Sequence, residues 1–551
     1  MKKLTSLILI FSVLLTGCNL IPPLEKQSEE PSETIIEATA SPTPSEEVKE
    51  SPKASAEHEN ALNISMRAPV TLNPLMNKDI TVDNVLKLIF EPVFSLDESQ
   101  RPVPNLAEKI SFSENGLEAT VTLKNNIYWS DGEIFDGNDL IFSVNTLKNA
   151  DKSVIYKDTV KDILSCELID SFNVKINLSK PSGGFGYMLL FPAIPEHYYK
   201  NKLDNSSVES LNPIGNGLYK FVSYENVKNM QLTASNTTFR QKPLIQKINV
   251  LITSDIQTDY YSFEQNILDF ISADILNFGK YSPSQKTGLT EYSTSNYDFI
   301  GFNFKNLALE DKKMRQAITK LIDVDYIIES VYLGHAYRTY SVISPDSWAY
   351  EKDVEKYEYN KQEAKDLISQ AGYKDNNADG IMDREIAGVY FDLSFRILVN
   401  EENEERVEIA NLVSSSLNEA GIATDIIVCD YNTYLEKLRN KEYDIFIGGF
   451  NFSLKPDFAF AFHSSQIDVG SNFFSYRSEI LDTYLIAAQN AQNEAQYKDA
   501  LSKIQKHIAS ELPCISLAFR KKVILYNENI KGGKKPSINN IFSNINEWYV
   551  Q

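Results

Sequence analysis

The chain is poor in the residues that build metal centres and catalytic triads. Its 551 residues include four cysteines and five histidines, and neither set shows the spacing of a metal site. The sequence also lacks a Gly-x-Ser-x-Gly elbow, a His-Glu-x-x-His motif and a cysteine with a neighbouring histidine that suggests a nucleophile. These absences predict a protein that is not an enzyme and needs no cofactor.

Positive charge is also scarce. Lysine and arginine number 54 against 75 aspartate and glutamate residues, which gives a net charge of −21. Such a balance argues against binding to nucleic acid or to anionic lipid through a basic patch. The apolar run at 7–15 is too short for a membrane-spanning helix, which needs about 20 apolar residues.

The N-terminus instead has the pattern of an export signal. A basic start at Met1-Lys2-Lys3 precedes the apolar run, and Leu15-Thr16-Gly17-Cys18 follows it. This ending resembles a bacterial lipobox, in which the cysteine is acylated and the preceding peptide is removed. We therefore expect residues 1–18 to form a lipoprotein signal, and Cys18 to tether an extracytoplasmic protein to the cell membrane.

Residues 19–60 are acidic and rich in proline and serine, for example in Ser41-Pro42-Thr43-Pro44. Such a segment buries too little apolar surface to offset its ordering entropy, so we expect a disordered linker between the lipid and the folded body. The lipobox, this spacer and the many Lys, Asn and Ile residues are typical of a Gram-positive host.

Once Cys18 is acylated, three widely spaced cysteines remain: Cys166, Cys429 and Cys514. They are either three free thiols or one disulfide with a spare thiol. A chain of this length can stabilise its core without disulfides, which favours free thiols.

From Ala61 onward, strand and helix patterns alternate. Leu62–Met66 alternates like a half-buried strand, whereas Glu404–Glu419 and Glu494–Ser510 have helical patterns. Tyr390–Leu398 and Phe299–Phe304 are predicted as strands. This mixture predicts an α/β architecture with more than one lobe.

A series of short motifs along residues 61–551 resembles one known family. The sequence is similar to bacterial extracellular solute-binding proteins of family 5, the receptors of oligopeptide, dipeptide and nickel ABC importers. The motifs, in order, are Thr71–Leu75, Ile89–Val93, Pro104–Glu108, Trp129–Gly132, Asp139–Ser143, Pro213–Phe221, Met314–Ile318, Ala371–Asp375, Glu511–Pro513 and Ile530–Gly532.

The resemblance implies an α/β, two-lobed periplasmic-binding-protein-like fold of type II. The implied fold is that of the large oligopeptide-receptor class, which has an extra domain on lobe one. The implied division of the chain is lobe I at 61–100, 210–297 and 525–551, the extra domain at 101–209, and lobe II at 298–524.

The resemblance also implies a function. A monomeric, lipid-anchored receptor would capture peptides and deliver them to the permease subunits of an ABC importer, closing by differential affinity for the closed state. A sensor of signalling peptides on the same fold and a binding protein for nickel or another metal chelate remain alternatives.

The family implies that ligand groups come from loops that face the cleft. The matching positions here are Asn73, Leu75, Tyr219, Asn303, Phe304, Phe450, Asn451 and Phe452. Asparagine can bond the peptide backbone, and aromatic rings make sequence-tolerant walls. The alternative for each is an ordinary packed or hydrogen-bonded core residue.

The sequence departs from the family after Gly449-Phe450. Peptide receptors commonly carry an aspartate there for the peptide ammonium, but this chain has no acid before Asp457. That departure leaves room for a neutral, modified or anionic ligand, and Lys455 favours the last. His463 is expected near the cleft, where it can contact a metal chelate or a ligand carboxylate.

Residues Asp375–Asp383 resemble the first nine positions of a calcium loop. Asp375, Asn377, Asp379 and Asp383 are the candidate ligands, and Gly380 occupies the sixth position. Ile386 stands where the loop would need a bidentate glutamate. A structural calcium site and a solvated turn are the two interpretations.

Overall fold

The computed structural model describes residues 60–273 and 286–551. The predicted signal at 1–18, with Cys18, and all but the last residue of the predicted linker lie outside the described residues. Strands β1 to β21 in the described part are Ala61–Met66, Phe94–Leu96, Pro102–Pro104, Ala107–Phe112, Glu118–Leu123, Ile163–Asp170, Asn173–Leu178, Tyr219–Glu225, Asn229–Ala234, Lys247–Ile252, Phe270–Ala273, Thr287–Phe302, Ala336–Arg338, Asp383–Ile386, Val389–Asp392, Ser394–Asn400, Ala423–Cys429, Ile445–Asn451, Cys514–Asn527, Ile530–Lys531 and Tyr549–Val550.

The α-helices of the same residues are numbered in chain order. Helices α1 to α13 are Ile80–Ile89, Gly137–Asn149, Glu196–Tyr199, Ile256–Glu264, Leu307–Glu310, Lys312–Leu321, Val324–Ser330, Lys361–Gln370, Glu404–Glu419, Tyr431–Asn440, Ala459–Phe462, Glu479–Gln489 and Glu494–Glu511.

A four-stranded sheet with the order β1-β10-β9-β8 forms the centre of the first lobe. Strand β1 pairs parallel to β10 and alternates as predicted, because Leu62, Ile64 and Met66 are buried while their neighbours are partly exposed. Helix α1 follows, and Asp79 begins it by accepting hydrogen bonds from the backbone N–H groups of Thr81 and Val82.

The chain after Pro213 passes very close to the end of α1. A Cβ atom at Gly215 would lie 2.0 Å from the carbonyl oxygen of Ile89, and one at Gly217 would lie 2.6 Å from the Ile89 carbonyl carbon. Only glycine fits at these positions, which explains the tight path into β8 that the sequence predicts.

A second, antiparallel sheet with the order β4-β5-β7-β6 lies within the segment 101–209 predicted as the extra domain. Helix α2 contacts β6 and β7 of this sheet. A capping box begins the helix. The Asp136 side chain accepts from the backbone N–H of Asp139, and the Asp139 side chain accepts from the backbone N–H of Asp136.

The largest sheet has the order β11-β19-β12-β18-β16-β17, with β13 also paired to β19. Strands β12 and β19 are 16 and 14 residues long. They pair with each other, and β19 pairs with β11 at one end while β12 pairs with β18 at the other. These two strands therefore form the crossing between lobes, and the predicted boundaries 297/298 and 524/525 fall inside them.

The second lobe has its own core. Buried side chains of α6, α9 and strands β16 and β18 form one cluster, which includes Ile318, Ile409, Val413, Ile397 and Ile445. Each helix begins with a side-chain cap, Asp311 for α6 and Asn403 for α9. This is the α/β lobe that the sequence pattern predicts.

The prediction of one strand at Tyr390–Leu398 is wrong. The structure has two strands, β15 and β16, that belong to different sheets. Strand β15 pairs with β14 as an exposed hairpin, whereas the N–H of Leu393 donates to the carbonyl of Met382 and β16 enters the large sheet. Apolar residues recur through Asp392, Ser394 and Arg396 in the alternating pattern of a single strand, so the sequence does not reveal this change of partner.

The three cysteines after Cys18 are free thiols, as predicted. Cys514 is buried, and Cys166 and Cys429 are partly buried. Among the described residues, no helix combines the length and apolar composition that crossing a bilayer requires.

Candidate functional site: the cavity between the lobes

A cavity of about 510 Å³ lies between the N-terminal and C-terminal halves of the folded body. We call it the interlobe cavity. One wall is α1 together with residues 155–162 and 187–190, and the opposite wall is residues 451–458 with helices α12 and α13. Ser295 of the crossing strand β12 lies in its lining. Both lobes therefore contribute to a single site.

The wall at 451–458 carries two packed phenylalanine rings among apolar and polar side chains. Phe452 stacks on Tyr297 with ring centroids 5.4 Å apart, and Phe458 meets Phe452 edge-on at 5.0 Å. Tyr497 of α13 adds a ring on the same side, and Tyr187 adds one from the opposite wall. Rigid rings of this kind present contact area that does not depend on a particular ligand side chain.

On α1, one acidic group of the cavity is already neutralised. The Asp83 carboxylate lies 2.5 Å from Nζ of Lys87, one turn further along the helix. Its other oxygen accepts a hydrogen bond of 2.9 Å from the hydroxyl of Tyr156. Burial raises the pKa of Tyr156 well above its ordinary value, and the neighbouring Asp83 charge adds to this effect. Tyr156 is therefore a neutral donor.

Two further acids of the cavity have polar partners. Asp162 lies 3.6 Å from Nζ of Lys180. Asp457 accepts hydrogen bonds from the side-chain amide of Gln489, at 3.3 and 3.2 Å, and from the N–H of Ala459.

Lys455 enters the cavity from the second lobe. Its Nζ donates a hydrogen bond of 3.1 Å to the hydroxyl of Ser182, which follows β7 in the first half of the chain. Burial lowers the pKa of Lys455, Asp162 and Asp457 act in the opposite direction, and Lys180 and Lys161 add to the lowering. The side chain thus reaches across the site.

Beside the cavity, the two halves also touch directly. The Trp348 indole N–H donates to the Tyr187 hydroxyl at 2.8 Å across the two halves, whereas the Tyr497 hydroxyl donates to the carbonyl of Pro456 at 2.5 Å within the second lobe. Arg101 forms a two-pronged pair with Glu494 at 3.1 and 2.6 Å on the exposed rim. These contacts hold the walls of the cavity together on one side.

A cavity of this size, lined by apolar rings and a few polar groups, suits the binding of a small ligand. A family model described as bacterial extracellular solute-binding proteins, family 5 Middle, matches residues 101–468 of the chain. The chain belongs to this family. Family 5 proteins are extracytoplasmic solute receptors, and a cavity between two lobes is the place where such a protein holds its solute.

Individual relatives agree with this assignment. The oligopeptide-binding protein AppA of Bacillus subtilis (strain 168) is 26% identical over 496 residues, 88% of this chain and 90% of the relative. The solved structure of NikZ from Campylobacter jejuni in complex with Ni(L-His) is 26% identical with a TM-score of 0.63, and covers 89% of this chain and 99% of that chain.

A further solved structure bears on the fold alone. AppA from Bacillus subtilis in complex with a nonapeptide has a TM-score of 0.58 at 24% identity, and covers 89% of this chain and 99% of that chain. The prediction of a two-lobed α/β fold of the type II binding-protein class is confirmed.

Three of the predicted ligand residues of this family 5 protein lie in the cavity. Asn451 and Phe452 end β18 and follow it, and Asp457 lies further along the same wall. Phe450 lies just behind, with its ring 4.9 Å from that of Phe299. Their roles in binding remain predictions.

The predicted residues of the first lobe lie in its core. Asn73 is buried and its side-chain oxygen accepts from the N–H of Leu75, which is also buried. Tyr219 begins β8 and donates its hydroxyl to the carbonyl of Ile245 at 3.1 Å. None of these three side chains lines the interlobe cavity.

The remaining predicted residues lie in the second lobe, outside the cavity lining. Asn303 donates from its amide to the carbonyl of Tyr443 at 2.8 Å, and Phe304 lies under the guanidinium of Arg315 at 4.3 Å. His463 Nδ1 is 3.9 Å from Asp482. Their contacts are those of structural side chains.

The sequence prediction did not include the cavity residues of the first half of the chain, among them Asp83, Lys87 and Tyr156. The spacing of Asp83 and Lys87 was a usable signal, because an acid and a base four residues apart pair on one helix face. Nothing in the sequence brings Tyr156 to them, since it lies 73 positions away from Asp83.

In the predicted calcium loop, side-chain oxygens face the loop's own nitrogen atoms. Asp375 accepts from the N–H groups of Asp379 and Gly380, and Asn377 donates to Asp379. Both oxygens of Asp383 accept from Asn376. In residues 60–273 and 286–551, no three His, Cys, Asp or Glu side chains are grouped as a metal site requires. Calcium binding here remains a prediction.

Proposed function

We propose that this family 5 protein is the receptor of an ABC importer that captures peptides in the interlobe cavity. The single observation that carries the proposal is the cavity itself, which both lobes line with aromatic and aliphatic side chains. Such walls accept many side chains, as a peptide receptor needs. The printed name of the Bacillus subtilis relative, an oligopeptide-binding protein, supports the same ligand class.

The proposed receptor works without catalysis. Ligand bound between the lobes contacts both of them only when they close, so binding favours the closed state by its differential affinity. The closed receptor then docks on permease subunits. We further propose that it is a monomer, anchored through a lipid on Cys18 to the outer face of a Gram-positive cell membrane.

Native mass spectrometry of the full chain, released from detergent, tests the ligand class. A ladder of co-purified peptide masses that disappears on denaturation is the expected result. A single metal chelate would contradict the proposal and favour a role like that printed for NikZ, which was solved with Ni(L-His). One defined peptide mass would favour a sensor of a signalling peptide over a general importer.

The same spectrum addresses the anchor and the oligomeric state. A chain that begins at Cys18 with a mass increment of a lipid is expected from cells, and Cys18→Ala should remove both the increment and membrane retention. A mass of twice the chain under native conditions would contradict the proposed monomer.

A further inference from the structure

The wall at 451–458 places one ammonium group among apolar side chains. Lys455 is flanked by Leu454 and Pro456, and Phe452 and Tyr497 line the same cavity. Its Nζ donates to Ser182, and among the described residues no carboxylate oxygen lies within 4.0 Å of it. A neutral hydroxyl balances no charge, so this partly buried cation lacks a counter-ion within the protein.

The neighbouring acids do not supply that counter-ion. Asp162 is closer to a partner of its own, with Lys180 at 3.6 Å, and Asp457 accepts from the Gln489 amide. Lys161 adds another cation to the lining. The lining holds four lysines and four aspartates, so the acids are not in excess of the cations. Burial lowers the pKa of Lys455 because the neighbouring acids do not fully compensate its desolvation.

The cavity has no comparable unpaired and buried carboxylate among its described lining residues that could bind the ammonium group of a ligand. Asp83 is saturated by Lys87 and by the hydroxyl of Tyr156. Asp158 lies at the exposed edge of the lining, where water competes for its charge. The cavity thus contains a cation, Lys455, without a counter-ion among the described residues, whereas its carboxylates are either paired within the protein or exposed to water.

We propose that Lys455 binds a carboxylate of the ligand, and that the cavity selects peptides by this anionic group and not by a free N-terminal ammonium. This inference rests on the proposed peptide-receptor function and names the recognised group. The carboxylate supplies the charge that Ser182 cannot, in a charge-assisted hydrogen bond within a partly dehydrated site. The aromatic wall then holds the apolar body of the same ligand.

A set of short peptides with neutral side chains provides the test. Each sequence is made with both termini free, with the N-terminus acetylated, and with the C-terminus amidated. One further amidated version carries a single glutamate, which separates a C-terminal from a side-chain carboxylate. The purified full chain, refolded from denaturant to remove carried-over ligand, is equilibrated with the set, and bound masses are quantified.

We expect the acetylated peptides to bind as well as the free ones, and amidation to weaken binding by about tenfold or more. Lys455→Met should remove this discrimination, and Lys455→Arg should keep it. Lys503→Met is the matched control, because Lys503 lies on the exposed face of α13, 2.7 Å from Asp499 and away from the cavity. Melting temperatures establish that each variant is folded, and Lys455→Gln replaces Lys455→Met if the latter does not fold.

The outcomes separate this inference from the function on which it rests. Binding that survives amidation, or that acetylation abolishes, overturns the role of Lys455 while leaving peptide capture intact. Retention of only the glutamate-bearing amidated peptide supports the cation site and assigns it to a side-chain carboxylate. Failure of every peptide to bind overturns the proposed function, and this inference with it.

Discussion

Asp298 and Arg520 join the two crossing strands by a buried ion pair. The Arg520 Nε lies 2.5 Å from one oxygen of Asp298, at the point where the pairing of β12 and β19 shifts register. Arg406 reaches the other oxygen at 2.9 Å, and the Tyr332 hydroxyl donates to the first. Although burial opposes its charged form, Arg520 has a pKa above its ordinary value because of Asp298.

Removing the charge of Asp298 should therefore be costly. Asp298→Asn removes the carboxylate that Arg406 and Arg520 share, and leaves Arg520 with only Glu405 at 3.8 Å, so we expect the free energy of unfolding to fall by about 3–5 kcal/mol. Urea unfolding followed by circular dichroism measures this. Glu419→Gln, which breaks an exposed pair with Lys361, is the control and should leave the midpoint nearly unchanged. Equal midpoints for the two variants would contradict the prediction.

The stability of the segment 101–209, predicted as the extra domain, should depend on the protonation of Asp139. Burial raises the pKa of Asp139 to about 6, against the hydrogen bonds it accepts from Glu196, Trp129 and Asp136. A raised folded-state pKa means that its contribution to stability is present below about pH 4 and is lost as the pH rises through 6. Melting curves across this range should show that the melting temperature of Asp139→Asn rises relative to that of the wild type as the pH increases. A constant difference would contradict the assignment.

Trp348 should report contact between the lobes. Of the three tryptophans, Trp129 and Trp548 are fully buried, whereas the Trp348 indole donates to Tyr187 across the two halves. We expect its emission to shift to shorter wavelength when a peptide mixture closes the protein. Trp348→Phe should lose the shift, and Tyr187→Phe should reduce it. A shift that persists in Trp348→Phe would show that another tryptophan is the reporter.

Phe452 should be the most important ring for ligand affinity. It stacks on Tyr297 and lines the cavity, so Phe452→Ala both enlarges the site and removes contact area. We expect peptide affinity to fall by about tenfold or more, measured by calorimetry with a peptide identified from the co-purified ladder. Phe460→Ala is the matched control, because that ring lies 6.1 Å from Phe452 but outside the cavity lining.

The calcium prediction is tested by thermal melting in calcium and in EDTA. If the loop binds the ion, calcium raises the melting temperature by mass action, and Asp379→Asn removes the rise. Identical curves would show that the internal hydrogen bonds of the loop, such as those from Asn376 to Asp383, are its normal state.

Local patterns in the sequence predicted elements with one buried face. The strand at Leu62–Met66 and the helix at Glu494–Ser510 match β1 and α13 within a residue or two. The long strands β12 and β19 were more difficult to predict. For β12, the predicted strand began only at Phe299, whereas the observed strand begins at Thr287. Their burial changes along the length, as each strand leaves one neighbour and gains another, and no single period describes them.

The site was predictable only where one segment carries it. Asn451, Phe452 and Asp457 lie close together in the sequence on one wall, so the resemblance to the family could indicate them. The opposite wall comes from residues some 300 positions earlier, and its partners meet through folding alone. Asn73 and Tyr219 show the converse, because polar or aromatic residues at such positions can equally serve the lobe's own hydrogen bonds.

The shift in pairing between Ser293 and Tyr297 has a mechanical consequence. Three residues of β12 leave the ladder there, while the strand resumes its pairing with β19 on both sides. The Thr294 hydroxyl ties this gap to the carbonyl of Arg520, so the two strands stay joined where the ladder is interrupted. Two strands that stay paired on both sides of an interrupted ladder can bend at the interruption. The lobes can therefore rotate about this line, while the pairing on either side keeps the two strands from sliding past each other.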